Sequence, residues 1–328
     1  MRAAWYTQQG AARTVLHTGI QPDPAPGAGE VLVRMAFSGV NPSDVNRRGG
    51  IRGDEGFPLV IPHNDGAGTV VAVGPGVPAS RVGDRVWIYN GHRGGRCFGT
   101  CAELMAVADA QAVKLPDNEP LEHGACLGVP AMTAWYSLFA DGDVRGQDVL
   151  VTGGAGAVGH YAIQMARLAG ARSVITTVSG GEKAAHAAKA GPTHIINYRE
   201  DDVAARVMQI TEGRGVDRIS EVDLGGNLAV AMQVAGKKCV IGAYASRGNL
   251  TPALPFYELL SRDMVVRTLF ASLMRPELRA EGNRRLTEWM AAGQILHTVS
   301  RVLPLEEVAT AHELVESGGV IGKVMLRL

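Results

Sequence analysis

The chain has only four cysteines, Cys97, Cys101, Cys126 and Cys239. Cys97 and Cys101 stand four positions apart with no second pair of ligands near them, so a structural zinc site is not expected and the thiols read as reduced. There is no net charge: 32 basic residues balance 32 acidic ones, and no overall field draws the chain to nucleic acid or to an anionic membrane. No apolar run approaches the roughly 20 residues needed to span a bilayer, and the opening Met1-Arg-Ala-Ala-Trp-Tyr-Thr-Gln8 turns polar before a secretory core forms. Internal repeats and low-complexity tracts are lacking too. These absences argue against membrane, secreted and nucleic-acid classes, a local basic patch aside, and predict a soluble, cytoplasmic protein.

What remains is long and apolar enough for two cores. At 328 residues and 46% hydrophobic content the chain exceeds the roughly 250–300 residues at which one core stops growing. Its first part, up to about residue 125, alternates short β-runs (2–7, 30–40, 67–73, 85–89 and 104–106) with glycine and proline, as an all-β module does. From about 128 to 268 strand and helix patterns alternate, with strands at 149–152, 174–178, 194–197, 218–222 and 239–244; this predicts a doubly wound parallel sheet. Helices over 280–292 and 305–317 and a closing strand over 323–328 complete the chain.

The most informative stretch is Val149-Leu-Val-Thr-Gly-Gly-Ala-Gly-Ala-Val-Gly159, a buried strand run, a glycine turn and the start of a helix. Gly154, Gly156 and Gly159 fit G-x-G-x-x-G, in which the first glycine makes the turn, the second admits a pyrophosphate and the third lets helix pack on strand. The helix N-terminus then presents unsatisfied N–H groups to the phosphates. Alone among 42 glycines the motif is weak, but a second strand a βαβ unit later supplies its context.

Several further motifs run in order along the chain. Gly39-Val-Asn-Pro-Ser-Asp44, Ile61-Pro-His-Asn-Asp-Gly-Ala-Gly68, Val73-Gly-Pro-Gly-Val77, Val82-Gly-Asp-Arg-Val86, Thr133-Ala134, the glycine loop and Ile321-Gly-Lys-Val-Met-Leu326 together resemble the medium-chain dehydrogenase/reductase superfamily over essentially the whole chain. Within it, the zinc-free NADPH:quinone oxidoreductase branch that includes zeta-crystallin is the nearest likeness. The resemblance implies an α/β fold: a GroES-like catalytic domain (1–127, with a return over 269–328), a Rossmann doubly wound parallel-sheet domain (128–268), and a site in the cleft between them. It also implies a homodimer or dimer of dimers, paired through the outer strand at 239–241.

Zinc alcohol dehydrogenases resemble this chain around residues 38–44 and 61–66, but carry cysteine and histidine where Asn41 and Asn64 stand. Carboxamides are poor zinc ligands, so no metal is expected; a displaced ligand at His63 is the objection. The four-cysteine lobe of those enzymes is replaced by Asn90-Gly-His-Arg-Gly-Gly-Arg-Cys-Phe-Gly99. Without a Lewis acid a simple ketone is a demanding hydride acceptor, whereas a quinone or activated alkene delocalises the developing anion and needs only hydrogen-bond donors. Positions that resemble family contacts beside the nicotinamide or substrate assign Asn41 and Thr133 as those donors. From the residues alone, Asn41 caps the turn before Pro42 and Thr133 caps or lines a helix. Asp44 reads as structural, and Asn46 stands where relatives often carry a tyrosine near the substrate.

Cofactor choice is read after the second strand. The acid that binds ribose hydroxyls in NAD sites is replaced by Ser179, Lys183 can pair with a 2′-phosphate as a point charge, and by resemblance Tyr198 stands at a family position that closes over the same group. Glu182 offers a competing ribose contact. NADPH is the expected cofactor, held by Gly154, Ala155, Gly156, Ala157, Val158 and Gly159. By resemblance, Gly242, Tyr244, Ser246, Phe270, Ala271 and Lys323 join that set. His186, His194, His297 and His312 read as surface or helix positions. The expected activity is reduction of a quinone or enone; the alternatives are a medium-chain alcohol dehydrogenase with a displaced metal and a non-enzymatic NADPH-binding protein.

Overall fold

The computed structural model describes all residues except 52–55 and 93–95, so Arg93, Gly94 and Gly95 of the 90–99 segment lie outside the described residues. The chain divides into two compact units: Met1–Val129 with Asn283–Leu328, and Pro130–Gly282. The return to the first unit therefore falls later than the expected 269. Residues 269–282 stay with the second unit because Trp135 Nε1 donates to Leu278 O (2.9 Å) and Gly282 seats against the same indole.

The first unit is a GroES-like β-module. Strands β1 (Arg2–Trp5) and β2 (His17–Ile20) form a hairpin-like pair, apart from a seven-stranded sheet. That sheet contains β3 (Glu30–Gly39), β4 (Asp65–Val73), β5 (Arg85–Ile88), β6 (Leu104–Ala108) and β7 (Ala112–Lys114), joined from the far end of the chain by two more strands. The alternation along β3 turns Val31, Val33 and Met35 inward against Val70, Val86, Ile88, Met105 and Val107. The region is not all β, since Pro42–Arg48 is a helix: Pro42 occupies its first turn and Asp44 Oδ2 accepts from the Asn41 backbone N–H (2.9 Å). Asp44 thus has the structural role expected of it.

The second unit is a six-stranded parallel sheet. β8 (Asp148–Val151), β9 (Ser173–Val178), β10 (His194–Asn197), β11 (Val216–Glu221), β12 (Ala235–Ala243) and β13 (Val265–Thr268) lie in the order β10-β9-β8-β11-β12-β13. Renumbered within the unit this is 3-2-1-4-5-6, the Rossmann order, with its switch point between β8 and β11. Buried on both faces, β8 reads as a continuous apolar run after Asp148. The strand expected at the edge, β12, is interior; β13 covers it, and its Arg267 is paired with Asp141. β14 (Val299–Pro304) and β15 (Lys323–Arg327) then complete the first unit's sheet, β15 pairing with β3.

Two of the histidines taken as surface or helix positions are buried. His312 has no exposed surface, and its Nε2 lies 2.9 Å from His63 Nε2, whose Nδ1 meets Ser38 Oγ at 2.8 Å. Only one of the facing nitrogens can carry the shared proton. Burial, with the Lys323 charge adding to it, pulls His63 down to about 3, and burial with His63 and Arg48 nearby lowers His312. Unfolded imidazoles titrate near 6.5, so below that pH the unfolded chain binds more protons and the stability present above it drains away as pH falls. The thermal midpoint is expected to be lower at pH 5.5 than at pH 7.5, with the gap narrowed in His312→Gln. Equal midpoints in the wild-type protein would contradict the neutral buried pair.

Candidate functional site

In the first unit the motif residues converge on one buried network. β4 begins at Asp65, the helix Pro42–Arg48 begins behind Asn41, and β15 begins at Lys323. Lys323 Nζ donates to Asp65 Oδ2 at 2.7 Å and to Asn41 Oδ1 at 2.5 Å. With its oxygen committed to the ammonium, the Asn41 amide turns its nitrogen to Asp65 Oδ2 (2.8 Å) and Asp44 Oδ2 (3.1 Å). Asn64 Nδ2 donates to Asp44 Oδ1 at 2.5 Å, and Val129 N–H donates to Asp65 Oδ1 at 2.7 Å. All five side chains are buried. Burial pushes the Asp65 carboxyl up and Lys323 works against that push.

This arrangement revises two expectations. Asn41 was to donate to substrate, but both directions of its NH₂ are taken by carboxylates, so it positions the network. Lys323 was to bind cofactor, but its ammonium is enclosed by Asn41 and Asp65 within the first unit. The same geometry bears on catalytic zinc at these positions. Amides stand at the two ligand positions and a lysine ammonium is hydrogen-bonded to one of them, a donor set that does not fit a divalent ion. His63, the displaced-ligand candidate, has both ring nitrogens engaged, by Ser38 and His312.

In the second unit the glycine turn sits where β8 ends. Gly153, which the motif reading left out, carries the positive φ (+69°) that makes the turn; the role assigned to Gly154 belongs to it. A Cβ on Gly154 would lie 2.0 Å from Thr176 Oγ1, and one on Gly159 2.4 Å from Gly153 O, so both are close-packing positions. Gly156 is the N-cap of the helix Ala157–Leu168, whose first bond, His160 N–H to Gly156 O, leaves the preceding N–H groups of Ala157, Val158 and Gly159 at the helix mouth. Ala155 is buried behind them.

The ends of the neighbouring strands bring the other candidates to the same edge. Val178 pairs with Asn197, and Tyr198 N–H donates to Val178 O (3.0 Å), so Ser179 and Tyr198 leave adjacent strands side by side. Lys183 follows in the first turn of the helix Gly181–Ala188; Ser179 and Lys183 are half-buried and Tyr198 is 52% exposed.

On the other side of β8, Tyr244 N–H donates to Glu221 O (3.1 Å) and Leu269 N–H to Ala243 O (2.8 Å), which sets Phe270 and Ala271 beside the loop after β12. Ser246 Oγ accepts from Gly225 N–H (3.0 Å), and Asp223 Oδ1 accepts from Arg247 N–H (2.7 Å), fixing that loop on the helix Leu224–Val234. Burial, then the nearby Glu221, pushes the Tyr244 phenol up and keeps it protonated.

Sequence reasoning missed Glu221. Its Oε1 accepts from Thr152 Oγ1 (3.0 Å), Asp223 N–H (2.6 Å) and Asn227 Nδ2 (2.7 Å), while among the described residues its buried Oε2 has no partner. Burial raises its pKa against those donors. An acid ending a strand at the switch point was the available signal.

Thr133 lies on the helix Gly128–Phe139, one turn before Ser137 and on the same face. Ser137 Oγ meets Ser220 Oγ at 2.7 Å, and a Cβ on Gly242 would come within 2.7 Å of Ser137 O. That face therefore lies on β11 and β12.

Comparison with known proteins agrees with this architecture. A model described as alcohol dehydrogenase GroES-like domain matches residues 27–117, and one described as zinc-binding dehydrogenase matches residues 190–326. The quinone oxidoreductase of Rattus norvegicus is 30% identical over 317 residues, covering 93% of this chain and 91% of that one. The chain belongs to the zeta-crystallin-like quinone oxidoreductase branch of the medium-chain dehydrogenase/reductase superfamily. Its members are oxidoreductases, which sets aside the non-enzymatic reading. The 2-haloacrylate reductase of a Burkholderia species is 32% identical over 320 residues, covering 92% of each chain. A solved mycobacterial structure complexed with NADPH superposes with a TM-score of 0.87 at 28% identity over 100% of both chains.

Removing one partner of a buried ion pair strands the other charge and costs about 3–5 kcal/mol. Lys323→Met is therefore expected to lose that much stability by denaturant titration. A loss below ~1 kcal/mol would show that the network does not hold the first unit together.

Proposed function

We propose that this enzyme reduces quinones or activated alkenes with NADPH, without a catalytic metal. The observation that carries the reading is the Lys323–Asn41–Asp65 network at the positions where zinc-dependent relatives hold their ion. A site lacking a Lewis acid suits acceptors that spread the incoming charge over a conjugated system. The names of the rat and Burkholderia relatives describe such acceptors, a quinone and a haloacrylate.

The second unit fits the cofactor on its own geometry. The close packing at Gly154 and Gly159 holds the glycine turn against the sheet and the helix, and the mouth of the helix Ala157–Leu168 directs N–H groups to where a pyrophosphate would lie. Ser179 presents a hydroxyl without repelling a 2′-phosphate, Lys183 supplies the opposing charge, and Tyr198 closes over the group. Tyr244, Ser246, Phe270 and Ala271 form the nicotinamide side. NADPH supplies the hydride when bound; the Thr133 hydroxyl, on the helix face that lies on β11 and β12, donates to the oxygen on which charge develops.

With NADPH and no added metal, quinones or enones should be reduced at least ~100-fold faster than matched saturated ketones, a difference of about 2.7 kcal/mol in barrier, and chelator should not change the rates. Equal rates on saturated ketones, or activity lost to chelator and restored by zinc, would favour an alcohol dehydrogenase instead.

A single residue tests the cofactor assignment. Charge-assisted contacts are worth roughly 1.5–3 kcal/mol, so Lys183→Ala should weaken NADPH binding about 10- to 150-fold and leave NADH nearly unchanged. Unaltered NADPH affinity in the variant, or wild-type preference for NADH, would overturn the phosphate pocket.

A further inference from the structure

The first unit holds a second cluster that the proposed reaction does not use. Glu119 and His123 flank one turn at the start of the helix Leu121–Gly124, and His297 lies 174 residues later in the segment ahead of β14. His123 Nδ1 is 2.6 Å from Glu119 Oε2, His297 Nε2 is 3.6 Å from the same oxygen, and the two imidazoles face each other with centroids 4.6 Å apart. One donor atom from each residue falls within 4.8 Å of the other two.

The cluster is built rather than incidental. Arg85 holds the approach to Glu119 through the carbonyls of Pro116, Asp117 and Glu119, and Asn118 Nδ2 donates to Met290 O at 2.9 Å, tying the same loop to the end of the helix Pro276–Ala291. Glu119 and His297 are buried, whereas the His123 side chain keeps 34% of its surface, which leaves a way in.

We propose that Glu119, His123 and His297 bind one zinc ion, separate from the reducing site. Two imidazoles and a carboxylate are a borderline donor set matched to Zn²⁺, whose bonds of about 2.0–2.2 Å place tetrahedral ligands roughly 3.4 Å apart. The observed 2.6 and 3.6 Å straddle that separation and the remaining pair lies within 4.8 Å, so adjustments of up to about 1.4 Å bring the three donors onto one ion. Three protein ligands leave a fourth position for water, on the side where His123 is exposed. Glu119 and His123 precede the point at which the chain leaves the first unit at Val129, and His297 follows its return at Asn283. The ion would clasp the outgoing and returning segments of that unit.

Chelator-stripped full-length protein dialysed against ZnCl₂ tests this. The wild type should take up one Zn²⁺ per chain, and His123→Ala and His297→Gln should each weaken uptake at least ~100-fold, since loss of even a supporting outer contact costs about 10–100-fold. Cys97→Ser should bind as the wild type does. His123→Ala, at the most exposed ligand, serves if His297→Gln does not fold. Co²⁺ in the same site should show ligand-field bands without thiolate charge transfer. No stoichiometric uptake by the wild type, uptake unchanged in folded His123→Ala, or a thiolate band with Co²⁺ would each overturn the site.

Discussion

The first unit depends on one buried ion pair. Lys323 and Asp65 begin β15 and β4, and their 2.7 Å contact joins the last strand of the chain to the sheet built by its opening part. Charges enclosed in this way rarely add net stability over an apolar pair, because desolvation offsets their attraction. What they fix is arrangement. Asn41 accepts from the ammonium, so its NH₂ must face Asp44 and Asp65, and Asp65 in turn receives Val129 N–H at the start of the helix that carries Thr133. Where zinc-dependent relatives carry cysteine and histidine, this chain has Asn41 and Asn64, and a lysine ammonium organises the group with a single charge. The proposed chemistry follows from that substitution.

The second unit works through strand ends rather than charge. Its parallel order brings the glycine turn, the Ser179–Tyr198 pair and the loop after β12 to one edge of one sheet, with Glu221 at the switch point between them. In the proposed reading phosphate recognition falls to helix N–H groups and Lys183, and the nicotinamide side to the loops fixed by Asp223 and Ser246.

Much of this was legible in the sequence where the signal is local. The Val149–Gly159 stretch announced strand, turn and helix, and the end of β9 announced the missing acid at Ser179. What escaped was either short and half-exposed or held by distant partners. β13 is four residues with exposed ends, too brief to stand out, and so β12 was taken for the edge. The Asn-Pro-Ser-Asp motif read as a turn capped by Asn41, although Pro42 begins a helix there. Lys323 meets Asn41 across 282 positions and His63 meets His312 across 249, pairings that no periodicity exposes. A lone lysine at the head of the apolar run Val324-Met-Leu326 was the available hint of a buried counter-charge. Gly153 was passed over because the G-x-G-x-x-G pattern begins one residue later.

The central claim is that hydride enters a conjugated acceptor at the carbon β to its carbonyl rather than at the carbon of a metal-activated carbonyl. It is tested most directly by reducing an enone with NADPH deuterated at the transferable C4 position and locating the label in the product by NMR. The account predicts deuterium on the carbon β to the carbonyl and a solvent proton at the α carbon. Deuterium on the carbonyl carbon, giving an allylic alcohol, would contradict it.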